Sequence, residues 1–330
     1  MPEQSTKIIN SFKPFVAVLL VLAIVAVGAF FIFNKHNNKR KLTAIYEYSQ
    51  ACSVISLVKE NHLLEKYLPD DVTVEWTMMD SGSDRRDAIA TDRAQIGVIE
   101  NLKVITSLEN DYPLRILANG PASYRGIYTA NSDINSAADL KDKKIAYQGT
   151  GAGLTLKKDL AENYHINLTD NQLLSLNEQQ LIDLITQNQV DAAVMTRVMA
   201  SKALQIRPEI KMIHSLTEET AKIGATYWFI GSVSYFDQNP DLLEPVMKAY
   251  TEAIETINND PKAVAEQLAP LFEVDAEIIE QEFLDFAPIV EVYGYDEIAE
   301  MLYENGELEK TPKKFSEIPY YESIPKKAEQ

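Results

Sequence analysis

The same succession of strand and helix signals occurs twice in this chain, and that doubling restricts the fold more than any single motif does. LTAIYEY (42–48) alternates with the two-residue period of a strand, and ACSVISLVKENHLLEKY carries apolar residues at helical spacing. VTVEWTMM, the turn DSGS, the helix DRRDAIATDRA and the strand QIGVIE complete a β-α-β-α-β unit. Past the midpoint KKIAYQ, a glycine loop, LTLKKDLAENY, LLSL, NEQQLIDLITQNQ and VDAAVMT repeat it element for element. Parallel neighbours need a crossover connection, and a helix is the usual one. Two such units in 330 residues predict an α/β protein of two lobes, each a doubly wound, mostly parallel sheet.

The chain divides accordingly into four parts. Residues 1–41 form an N-terminal anchor and basic linker, 42–126 the first lobe, 127–226 the second, and 227–330 a return to the first lobe with C-terminal helices and a proline-punctuated tail. An extended stretch from Tyr124 to Thr129 carries the chain across, and ATYWFIGSVSY carries it back. Ligands of such sheets bind beyond the carboxyl ends of the strands. Those ends hold Tyr48-Ser49-Gln50, Asp80 to Ser83 and Glu100-Asn101 in the first lobe, and Gln148 to Gly153, Asn177-Glu178 and Thr196-Arg197 in the second. If the sheets face one another, both sets point into one cleft.

The loop QGTGAG (148–153) invites comparison with nucleotide fingerprints, and both fail. A phosphate loop needs Gly-Lys-Ser/Thr where Gly153 is followed by Leu154, and the dinucleotide pattern starting at Gly149 needs a glycine at 154. What remains is a tight strand-to-helix turn whose free backbone N–H groups suit an anion.

From Phe15 to Phe33 the chain is uninterruptedly apolar, long enough to cross a hydrocarbon core of about 30 Å as a helix. The expectation is a single spanning anchor at 15–33; cleavage after Ala26-Val27-Gly28 is the lesser alternative. Lys7 and Lys13 precede the run, while Lys35, Lys39, Arg40 and Lys41 follow it, so the positive-inside bias opposes an extracytoplasmic domain. The net charge is −18 although the first 41 residues hold six basic side chains against one acidic, which makes nucleic acid a poor partner. Cys52 is the single cysteine, which excludes an internal disulfide, and it reads as a small buried thiol. The four histidines, 36, 62, 165 and 214, have no metal-ligand spacing, and neither a metal nor a cofactor is expected. No nucleophile, base and orienting group form a recognisable arrangement, so binding without catalysis is the expectation.

The turn DSGS, DRAQIGVIE, SAADLKDKKIAYQGTGAG, QNQVDAAVMTR and ATYWFIGSVSYFDQNPDLLEPVMKAYTEAIETINNDPKAVAEQLA, in that order from about Leu42 to Phe286, resemble the solute-binding proteins of ABC importers. The subgroup is the one serving nitrate, sulfonates, taurine and thiamine-pyrimidine precursors, with the type 2 periplasmic-binding-protein fold. The resemblance implies two lobes closing over a small solute, permease and ATPase partners, and a binding domain outside the cytoplasm, held at the cell membrane here by the anchor. By position it implies ligand contacts at Tyr48, Gln50, Ser81, Gly82, Ser83, Glu100, Asn101, Ser123, Gly149, Thr150, Gly151, Thr196 and Arg197, with Tyr227 or Trp228 near the return crossing. Where many relatives place an aromatic, an acidic residue and proline, this chain has Thr196-Arg197-Val198. An arginine there favours a sulfonate, carboxylate or similar oxyanion if it faces the cleft.

Among the cations Arg197 is thus the first candidate and Arg125 the second, with Arg85, Arg86 and Arg93 read as a solvated helix face. Ser81 and Asp84 fit a capping box, which does not exclude ligand contact at the same turn. Tyr46, Tyr48, Tyr147, Tyr227 and Trp228 serve either as core or as walls that stack on a pyrimidine-like ring. A membrane-tethered sensor, or an enzyme of thiamine-pyrimidine synthesis on the same fold, are the alternatives.

Overall fold

A computed structural model describes residues 39–49, 52–216 and 227–321. The apolar run at 15–33, with Lys7, Lys13 and Lys35 beside it, lies outside the described residues; among the described residues no helix is long and apolar enough to cross a membrane.

The first sheet has the order β2-β1-β3-β10-β4, built from β1 (Arg40–Tyr46), β2 (Val72–Met78), β3 (Ile96–Glu100), β4 (Leu114–Asn119) and β10 (Tyr227–Ser232). The second has the order β7-β6-β8-β5-β9, from β5 (Arg125–Thr129), β6 (Ile145–Tyr147), β7 (Leu173–Ser175), β8 (Ala192–Thr196) and β9 (Lys211–Ser215). Within each, the three strands of the repeated unit pair parallel. The fourth strand in each order runs antiparallel to both neighbours, and it is the strand on which the chain has just arrived from the other lobe: β5 in the second sheet, β10 in the first. The sheets are therefore mostly parallel, as expected, with each lobe completed by its partner's crossing segment.

The helices are α1 (Ser53–Glu60), α2 (Leu63–Tyr67), α3 (Gly82–Ala90), α4 (Asn101–Glu109), α5 (Gly149–Tyr164), α6 (Glu178–Thr186), α7 (Arg197–Ile206), α8 (Val233–Gln238), α9 (Leu243–Asn259), α10 (Pro261–Phe272), α11 (Ala276–Asp285) and α12 (Tyr295–Glu304). ACSVISLVKENHLLEKY, expected as one helix, breaks in two at His62, whose φ of 52° ends the α1 geometry. β1 starts two residues earlier than the alternation suggested, because Arg40 and Lys41 pair with Val72 and Thr73 rather than ending a linker.

Helices cover both faces of the first sheet. On one face α1, α9 and α10 pack against Leu42, Ala44, Val98 and Phe229, with Phe229 stacked on Tyr250 at 4.1 Å between ring centroids. On the other, α4 and α12 enclose Ile45, Ile99, Trp228 and Ile230. Helices α9, α10 and α12 thus pack on the first sheet. The tail runs back along the first sheet, with the Ile116 N–H donating to the Pro319 carbonyl at the β4 edge at 3.1 Å. Pairing of this kind covers an edge strand that would otherwise be open.

Candidate functional site

The glycine-bearing loop is not a loop. α5 starts at Gly149, so Gly149, Gly151 and Gly153 lie in its first two turns. The reason is close approach. A Cβ on Gly151 would sit 2.7 Å from Leu102 Cδ1 of the first lobe and 3.0 Å from Glu100 Oε1, and one on Gly153 would sit 2.6 Å from the Tyr147 ring. Gly149 also takes a φ of +78°, which only glycine adopts without strain.

The N-terminus of α5 has no side-chain cap from Gln148. Its partner comes from across the gap, where Glu100 at the end of β3 accepts the Gly151 N–H at 3.1 Å. Beside it stands Arg125. The first residue of β5, it lies directly opposite Thr196 of β8, and its Nη1 is 3.6 Å from the position a Gly151 Cβ would take. Arg125 is 5 % exposed, yet among the described residues its guanidinium makes no hydrogen bond and closes no ion pair. A buried charge without a partner is costly, and such a group is ordinarily paired.

Arg197 is placed differently. Its Nη2 is 2.5 Å from Asp285 Oδ2 and its Nη1 is 3.7 Å from Glu282 Oε1, both on α11, while its guanidinium lies over the Tyr124 ring at 4.5 Å. It therefore ties the second lobe to the C-terminal helices at the crossing and is not a free cation for a solute. Glu282 is fully buried and accepts the Tyr124 N–H at 3.0 Å. Burial pushes its carboxyl up to about 7 against the pull of that N–H and of Arg197. Sequence reading missed it, although a glutamate between Ile279 and Phe283 sits on the apolar stripe of its helix.

Arg85, expected on a solvated face, is buried. Its Nη1 binds Glu47 and the Met79 carbonyl, the latter at 3.0 Å, and lies 4.0 Å from Cys52 Sγ. Burial raises the Glu47 carboxyl, with Arg85 opposing. Cys52 is buried, as read, and burial pushes its thiol up to about 12 despite Arg85. The Tyr227 phenol is also raised by burial, with Arg125, Glu100, Glu47 and Arg85 all close enough to act on it.

The remaining candidates divide. Ser81 caps α3 by accepting the Asp84 N–H at 3.3 Å, Ser83 Oγ accepts from Lys103 Nζ at 2.9 Å, and Gly82 lies next to Arg85. Thr196 caps α7, and Asn101 turns its Oδ1 onto the Leu102 N–H. Thr150 is exposed at the start of α5 and Ser123 is buried at the crossing. Tyr48 leans on its own lobe, bonded to Glu60 and Lys59 and edge-on to Tyr46. Trp228 does not face the gap: it is fully buried, its indole N–H bonds Asn119 and its ring stacks on Tyr295. Period-two alternation puts Trp228 and Tyr227 on opposite faces, and the core takes the tryptophan. Gln50 lies outside the described residues. A cavity of about 510 Å³ between α5 and α12, lined by Leu154, Lys157, Lys158, Asn167, Met301 and Glu304 among others, holds none of the strand-end residues. Among the described residues no cluster of His, Cys, Asp or Glu is arranged for a metal.

Two sheets, each completed by the other's crossing strand, with strand ends meeting across a gap, define the two-lobed periplasmic-binding-protein fold. The chain belongs to the NMT1/THI5-like family, whose sequence pattern matches residues 67–264. It is similar in structure to the alkanesulfonate-binding protein SsuA of Xanthomonas axonopodis pv. citri bound to MOPS, with a TM-score of 0.69 at 20% identity over 82% of this chain and 95% of that one. A ligand-binding component of an ABC-type import system from Staphylococcus aureus gives a TM-score of 0.70 at 12% identity, covering 85% and 96%. The periplasmic nitrate-binding protein NrtA of Synechocystis PCC 6803 gives 0.60 at 16%, covering 73% and 69%. No curated protein sequence matches the chain.

Proposed function

We propose that this protein is the solute-binding component of an ABC importer, held at the outer face of the cell membrane by the apolar segment at 15–33, and that it captures a small solute bearing an oxyanion between its lobes. The observation that carries this reading is Arg125, a buried guanidinium without a partner among the described residues, beside a helix N-terminus at the junction of two lobes. A guanidinium without a partner beside the start of a helix suits a sulfonate or carboxylate. The similar proteins named for sulfonate and nitrate binding support the same class of solute. Cys52, with its thiol buried and held protonated at neutral pH, supports binding over nucleophilic chemistry.

The test is calorimetric titration of the full chain with alkanesulfonates, nitrate, carboxylates and pyrimidines. Saturable binding of an oxyanion, lost in Arg125→Ala, is the expected result; binding of pyrimidines alone, or of nothing, defeats the reading. Protease added outside intact cells is expected to remove the domain, and full protection refutes the proposed topology.

A further inference from the structure

Where the chain first crosses between the lobes, α11 meets the start of α7. α11 gives Ile279 and Phe283 to the core of the first lobe, and Arg197 opens α7 at the end of the second sheet's β8. Glu282 on α11 is fully buried, and its Oε2 accepts the Tyr124 N–H at 3.0 Å. Its Oε1 has no hydrogen-bond partner among the described residues; Arg197 Nη1, 3.7 Å away and also buried, has none either. Arg197 is held meanwhile through Nη2, on Asp285 at 2.5 Å. A carboxyl oxygen and a guanidinium nitrogen on elements of different lobes thus face one another just beyond bonding distance.

Such a gap suits a neutral acid, because a buried carboxylate left unpaired is costly. Pairing it takes a movement of about 1 Å by Arg197 Nη1 toward α11. Hydrating it instead would open the core that Ile279 and Phe283 share with Leu268 and Phe272 of α10. The other groups around it are Tyr124 at the crossing, Tyr128 and Arg125 of β5, and Asp285 on its own helix. Burial raises the Glu282 carboxyl, the Tyr124 N–H and Arg197 lower it, Asp285 raises it and Arg125 lowers it; the balance falls at about 7, so both forms are populated near neutrality. Asp285 keeps its grip on Arg197 throughout, since Arg197 and Gln281 hold its carboxyl below the usual value against its own burial. Burial raises the Tyr128 phenol, which stays neutral.

We infer that Glu282 is a proton-operated latch between the lobes: ionised, it closes on Arg197 and draws the start of α7 toward α11; protonated, it leaves the two apart. The latch is closed above about pH 7 and released below it. A small shift at a crossing between lobes is carried to their far ends as a rotation.

The experiment reads that rotation in the full chain without solute, so its outcome does not depend on the proposed binding role. Cys52 is buried, which leaves cysteines introduced by Asp70→Cys and Lys141→Cys, in exposed loops before β2 and β6, as the sites for spin labels. The distance between the labels, measured by electron paramagnetic resonance from about pH 5 to about pH 9, is expected to shift with one midpoint near 7. Glu282→Gln keeps an acceptor for the Tyr124 N–H but cannot ionise, and is expected to abolish the shift, as is Arg197→Gln. Asp285→Asn is expected to retain it with a lower midpoint, because a like charge has been removed beside Glu282. A wild-type distance that does not change with pH overturns the inference, and so does a shift that survives Glu282→Gln or Arg197→Gln. If Arg197→Gln does not fold, the wild type against Glu282→Gln decides alone.

Discussion

Two strand-to-helix turns that look alike in sequence, DSGS and QGTG, are finished in opposite ways. At the first, Ser81 caps its own helix and Lys103 of the same lobe holds Ser83. At the second, Gln148 provides no cap, and a carboxylate from the other lobe fills the place. α6 and α7, the other helices of the second lobe, are capped from within by Asn177 and Thr196. A turn closed by its own residues is a structural joint. A turn that depends on the opposite lobe is sensitive to the gap between them, and there the unpartnered Arg125 also lies.

The difference can be broken most severely at Arg125. Arg125→Ala is expected to cost roughly 2–5 kcal/mol of solute affinity, the usual price of truncating one side of a buried charge contact. Thermal unfolding without solute should change little or rise, since an unpaired buried charge has been removed. A large fall in melting temperature would show that the guanidinium has a structural role.

A second contact between the parts of the molecule lies at the crossing, where Glu282 receives the Tyr124 N–H. Its carboxyl titrates near 4.5 when unfolded and at about 7 in the fold. The raised value means that its contribution to stability is present below pH 4.5 and is lost as the pH rises through 7. Glu282→Gln keeps an acceptor and avoids ionisation. It should gain about 2 kcal/mol over the wild type at pH 8 and nothing at pH 4, as read by denaturant unfolding at both values.

The two turns can then be compared directly. Gly151→Ala drives a methyl group into Leu102 across the gap and should weaken solute binding about tenfold, within the 1–3 kcal/mol typical of overpacking. Gly82→Ala has no atom nearer than 3.7 Å and should leave affinity intact while stabilising the fold by about 0.4–1 kcal/mol. Equal effects of the two on affinity would abolish the distinction. The smallest effect is expected of Ser81→Ala, which removes a cap worth about 1 kcal/mol of stability without touching solute affinity. A loss of affinity there would return Ser81 to the ligand site.

Much of the architecture was legible because its signals are local. Periods of two and 3.6 marked most strands and helices, and the repetition of the unit announced two lobes. The antiparallel strand in each sheet was less legible, since β5 and β10 follow crossings and their pairing partners are remote in sequence. The glycines of 149–153 were visible as a special place but were read as a turn. Their requirement is the Leu102 methyl and the Tyr147 ring, neither of which adjoins them in sequence.

The candidate cation shows the same limit. Arg197 and Arg125 both flagged themselves by position, but which is free depends on Asp285 and Glu282, residues some ninety positions beyond Arg197. Likewise Tyr227 and Trp228 are neighbours on one strand, and the pleat alone sends one toward the charged groups and the other into the core.

The sequence by itself determined the α/β class, the doubled unit and a set of candidate strand ends, because periodicity and turn chemistry act over a few residues. Tertiary structure alone decided which of those ends are spent on their own lobe and which meet across the gap. Charge pairing and steric contact depend on distance in space, and residues 100, 125 and 151 become neighbours only when both sheets have formed.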